Sequence, residues 1–163
     1  MIQKTITEQK KEKNLLIVLS LIAIFFSNLG IPGIVNSAIM PNYFIALIIT
    51  FILMRLGNLN LYKLVIIGLL VDVFVGQLLG QYAFIFISIY LADYIVNRAL
   101  VIKSGKQVFT LSFFLILISF FILWISSLSY SIFTPPKIIL FQIILTAITY
   151  SILNVFINRS ISR

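Results

Sequence analysis

The side chains able to carry chemistry are few in this 163-residue chain. It has no His and no Cys, which removes the commonest acid–base group, the thiolate nucleophile and the usual zinc ligands. Four acids remain: Glu8, Glu12, Asp72 and Asp93. Glu8 and Glu12 sit among lysines near the N-terminus, where i,i+4 pairing accounts for them. Serines are plentiful, notably Ser126, Ser127, Ser129 and Ser131, but no base accompanies them. Catalysis is not expected, and neither a metal nor a cofactor is implied. Asp72 is the informative residue. Gly68, Asp72, Gly76 and Gly80 recur every four residues. At i,i+4 spacing Gly68, Asp72 and Gly76 share one helix face. The glycines let another backbone approach closely, and the carboxylate needs a partner in that seam. Three uses fit: packing inside the molecule, with Asp72 bonded to Tyr, Ser, Gln or a helix N-terminus; a contact with a partner's helix; or a ligand site.

The elements that position these residues follow from composition. Hydrophobic residues make up 61% of the chain and charged residues 10%. A soluble domain is about 45–50% apolar and about 25% charged. A water-soluble globule, a disordered chain and a disulfide-stapled domain are all excluded. The apolar runs are continuous rather than alternating, which argues for helices and against an outer-membrane barrel. Crossing a bilayer takes roughly 20 apolar residues.

Six spans are predicted, at about 15–29, 40–54, 61–75, 80–96, 108–128 and 136–157. Gly30-Ile31-Pro32-Gly33 ends the first. Pro41 suits a first-turn position in the second, and Pro135-Pro136 precede the sixth. The second and third are short for a full crossing. The fold expected is an all-α integral membrane protein with one six-helix domain over residues 14–158. A polar tail, residues 1–13, precedes it, and a short tail, 159–163, follows.

The charges give an orientation. Lys4, Lys10, Lys11, Lys13, Arg55, Lys63, Arg98, Lys103, Lys106, Arg159 and Arg163 fall on one side of such a bundle, and Lys137 alone on the other. By the positive-inside rule both termini are cytoplasmic. The net charge of +8 is then a topology signal, with some attraction to anionic lipids and no nucleic-acid role. The lysine-rich start reads as an uncleaved first helix, because no clear cleavage site follows it. Asp93 lies near the cytoplasmic end of the fourth span, where snorkelling or pairing with Arg98 or Lys63 would satisfy it. Trp124, Tyr43, Tyr82 and Tyr130 suit interface anchors. Phe113-Phe114 and Phe120-Phe121 suit lipid-facing or packing positions.

With these features in place, the chain resembles the MreD family of rod shape-determining membrane proteins. Met40-Pro41-Asn42-Tyr43 before an apolar helix resembles the family's Pro-(Asn/Asp)-aromatic start of the second span. The Gly68, Asp72, Gly76 and Gly80 series resembles its Gly/Asp/Gly/Gly run. Length, basic start and six apolar spans match in outline. The resemblance implies a multi-pass protein of the bacterial inner membrane, in the machinery that builds the lateral wall. It implies a bitopic MreC-like partner and, indirectly, MreB filaments, a RodA-type glycosyltransferase and a class B penicillin-binding protein. It also implies a fold similar to the substrate subunits of energy-coupling-factor transporters. On the resemblance, Pro41, Asn42, Gly68, Asp72, Gly76 and Gly80 are motif positions with a partner-binding or packing role and no catalytic one. A small-molecule-binding transporter subunit is the alternative. It would use a pocket near Asp72, Gln77, Gln81 and the Asn36 loop.

Overall fold

The computed structural model describes residues 6–28, 40–75, 79–99, 105–129 and 135–161. Among them are six helices and no strand: α1 (Ile6–Asn28), α2 (Tyr43–Leu53), α3 (Leu61–Val75), α4 (Gln81–Ala99), α5 (Gly105–Ser129) and α6 (Pro136–Ile161). The Gly30–Gly33 stop, Asn36, Gly76, Gln77, Lys103, Tyr130, Ser131 and Arg163 lie outside the described residues.

The second helix is the axis of the bundle. Every residue from Phe44 to Ile52 is buried, as expected of a helix that is apolar all round. It packs against α1, α4, α5 and α6, while α3 pairs most extensively with α4. The surrounding helices bury one face each. Among the described side chains the buried ones in α1 are Glu12, Leu19 and Ala23, and in α6 they are Ile143, Thr146, Tyr150 and Ile157. Both sets keep helical i,i+3/i+4 spacing. The opposite faces carry exposed large apolar residues: Leu21 and Phe25 in α1, Phe113 and Phe114 in α5, and Ile148 and Ile152 in α6.

Helix lengths differ greatly. With 11 residues, α2 is about 16 Å long at about 1.5 Å per residue, roughly half a bilayer's hydrocarbon thickness of about 30 Å. Helix α3 has 15 residues, α5 has 25 and α6 has 26. Among the described residues two helices, α5 and α6, are long and apolar enough to cross a membrane.

Local chemistry explains the ends. Asn42 is the N-cap of α2, its side chain accepting the Ile45 N–H at 3.1 Å. Pro41 therefore precedes the cap and is not in the first turn, because the capping oxygen one residue later fixes the start. The first-turn proline is Pro136, the first residue of α6. At the other end of α2 the Leu56 N–H donates to Phe51 O at 2.9 Å and the Arg55 N–H to Ile52 O at 3.1 Å. This is a Schellman closure. Arg55 takes the left-handed position at φ 52°, where glycine is the usual choice.

Glu12 departs from its expected place in a polar tail. It lies within α1, is buried, and its carboxylate accepts the Gly57 N–H at 3.0 Å. The N-terminal half of α1 is thereby tied to the α2–α3 loop. Lys63, expected near Asp93, donates instead to Asn58 O at 2.7 Å. The Asp93 carboxylate accepts from Asn97 at 2.7 Å, and Arg55 acts on it electrostatically.

Candidate functional site

The buried polar groups converge where α2 and α4 begin and α3 ends. Asp72 is the twelfth residue of α3 and only 1% exposed. Its Oδ2 accepts the Gly80 N–H and its Oδ1 the Tyr82 N–H, both at 2.8 Å. Gly80 is the residue before α4 and Tyr82 is its second residue. The carboxylate of one helix thus caps the next. Such a cap satisfies two N–H groups that no helical carbonyl can reach. It also places the negative charge at the positive end of the α4 dipole. Charge-assisted bonds of this kind are worth about 1.5–3 kcal/mol each.

Two glycines make the cap possible. Gly80 has φ +95°, a left-handed conformation that costs a side chain about 1–2 kcal/mol. At Gly68, one turn before Asp72, an added Cβ would stand 2.3 Å from Ala83 Cα and 2.5 Å from Ala83 N. The α3 and α4 backbones touch there, and the seam predicted from the four-residue spacing is filled by the chain's own fourth helix.

From the cap the network runs outward through Tyr82. Its hydroxyl accepts the Asn42 Nδ2–H at 2.7 Å, and its ring packs edge-on against Phe44 and Phe86. Asn42 caps α2 with Oδ1, and its own N–H donates to Thr146 Oγ1 of α6 at 3.0 Å. One carboxylate, one amide, one phenol and one hydroxyl therefore tie α3, α4, α2 and α6 together.

The structure brings Asn42, Asp72 and Gly80 into one cluster, with Gly68 one turn below. Pro41 adjoins through Asn42, and Gly76 is outside the described residues. Tyr82, expected as an interface anchor, is 6% exposed and central to the cluster. Its spacing from Gly80 and Asp72 carried the signal that it would sit at the same helix end. Thr146 gave no such signal; it lies 104 residues from its partner. Beside the cluster, Gln81 Oε1 is buried with no hydrogen-bond partner among the described residues.

Chemically the arrangement holds helix ends in place. Each Asp72 oxygen receives a backbone N–H. Among the described residues no group of acids is placed to hold a metal ion.

A comparison with protein families decides the relationship. The profile described as rod shape-determining protein MreD matches residues 9–159. The chain belongs to the MreD family. The match takes in all the cluster residues, from Asn42 to Thr146, and far exceeds the two motifs in which the resemblance is legible. No curated protein and no solved structure matches the chain. Membership of the MreD family implies a role in rod-shape determination, and MreD proteins are membrane proteins not known as enzymes.

Proposed function

We propose that the protein is a non-enzymatic membrane scaffold of the bacterial elongation machinery, holding an MreC-like bitopic partner and so supporting lateral peptidoglycan synthesis. The family match carries this reading. The cluster supports it in a specific way: its buried acid and the glycines Gly68 and Gly80 serve to fix α4 against α3. We assign Pro41, Asn42, Gly68, Asp72, Gly76 and Gly80 to building the bundle. The partner's helix meets the apolar outer faces that this rigid bundle presents.

The same proposal includes six crossings in the inner membrane with both termini cytoplasmic, residues 1–13 and 159–163 being the two tails. It rests on the eleven-to-one division of basic residues. The chain has no Cys, so single cysteines can report topology directly. A cysteine at Lys137 should react with an impermeant thiol reagent in intact cells, and one at Lys106 only after permeabilisation. Equal labelling at both would overturn the topology.

Depletion followed by imaging of wall synthesis, with co-purification of the partner, tests the function. Rounded cells with dispersed synthesis and a recovered complex are the expected results. Rod-shaped cells with a nutrient requirement would favour the transporter-subunit reading.

A further inference from the structure

A groove of about 540 Å³ lies between helices α5 and α6. Phe120, Phe121 and Trp124 line one wall, and Pro136, Leu140 and Ile143 the other. The lining is apolar throughout, as a hydrocarbon chain would need. Its position is informative. It occupies the second half of α5 and the first half of α6, the end of the hairpin away from Lys106 and Arg159.

Two observations say what covers it. Lys137 is exposed, lies in the first turn of α6 and directly follows the lining residue Pro136 in the chain. No Asp or Glu occurs anywhere in α5 or α6 to neutralise it, and the positive end of the α6 dipole adds to its field. The second is Trp124, whose indole Nε1 has no acceptor among the described residues. Phe121 leans against its ring at 6.5 Å between centroids. An indole N–H without an acceptor is costly in an apolar setting. A modest turn of the ring would present it to an ester or phosphate oxygen at the membrane interface, where Trp is enriched.

We propose that this groove binds an anionic phospholipid: one acyl chain lies between α5 and α6, and the headgroup phosphate meets Lys137. The proposal rests on α5 and α6 crossing the membrane and is independent of the role in cell shape.

Trp124 is the only tryptophan in the chain, so its fluorescence reads this groove alone. The purified full-length protein is placed in phosphatidylcholine vesicles containing a minor fraction of dibrominated phosphatidylglycerol or dibrominated phosphatidylcholine. One basic residue near the surface contributes about 1 kcal/mol toward an anionic lipid, which is about a fivefold preference. The brominated phosphatidylglycerol should therefore quench Trp124 with about fivefold higher apparent affinity. Lys137→Gln, at an exposed site that leaves folding intact, should make the two lipids equal. Equal quenching in the unaltered protein would mean ordinary boundary lipid and overturn the proposal. A preference that survives Lys137→Gln would overturn the headgroup assignment. No quenching by either lipid would give the groove to a protein segment and also overturn it.

Discussion

Polar groups in two regions of the bundle are satisfied in opposite ways. Where α2, α3 and α4 meet, side chains bond between elements: Asp72 to the start of α4, Asn42 to Tyr82, and Thr146 to the Asn42 N–H. Along α5 and the rest of α6, hydroxyls mostly bond back to their own helix. Ser119 donates to Leu115 O, Ser126 to Ile122 O, Thr149 to Leu145 O and Ser151 to Ala147 O. Bonds of the second kind hide a polar group but fix no neighbour; the Tyr150–Ser112 pair is the cross-helix exception there. The contrast follows helix length. An 11-residue α2 and a 15-residue α3 leave several helix ends inside the molecule, each with unpaired backbone groups. Helices of 25 and 26 residues carry their ends outward. Short helices thus create the demand that the side chains of Asp72 and Asn42 meet, and the long pair is left to present a groove.

That contrast can be broken by substitution, and the effects should fall in order. Asp72→Leu strips the cap from the buried Tyr82 N–H and the half-buried Gly80 N–H, at up to about 1–3 kcal/mol each. It should leave little folded protein by size-exclusion chromatography in detergent. Gly68→Ala drives a methyl into the Ala83 backbone; overpacking of this kind costs about 1–3 kcal/mol. A lowered midpoint in thermal unfolding would register it, and an unchanged midpoint would mean that α3 and α4 are not in backbone contact. Asn42→Ala removes an N-cap and the Tyr82 bond, for about 1–2 kcal/mol. Tyr82→Phe loses only part of that, and combining it with Asn42→Ala should be clearly less than additive because the two share a bond. At the bottom of the scale, Ser126→Ala should change stability by no more than about 0.5 kcal/mol. A large loss there would mean that the long helices are also pinned by their hydroxyls.

How much of this is legible without coordinates differs between the same two regions. The bounds of α3 follow from its apolar run, and they agree because Asn60 and Gly76 flank it in sequence. The close approach at Gly68 follows from glycine spacing. The identity of Asp72's partner stays open among several choices, because a helix N-terminus offers no distinctive side chain to find. Tyr82 looks like an interface anchor because aromatic residues near span ends usually are; its burial depends on α2 lying alongside, a tertiary fact. Thr146 is unremarkable in an apolar helix and gains its role from a partner 104 positions away. Glu12 is masked by the lysines around it, yet the loop that needs its oxygen is built from Arg55 to Asn58, where three residues take left-handed backbone. The groove between α5 and α6 leaves no pattern at all, since its lining is the same apolar composition that faces lipid.

The central claim is that Asp72 serves the fold by capping α4 rather than by touching a partner. Amide hydrogen exchange of Asp72→Asn against the unaltered protein, in the same detergent, tests it most directly. Asn keeps the shape but gives up the charge and one acceptor. Protection should fall at Gly80 and Tyr82 and through the first turn of α4, with α5 and α6 unchanged and the partner recovered per folded molecule undiminished. Unchanged protection at Gly80 and Tyr82 together with lost partner recovery would contradict it and move Asp72 to the interface.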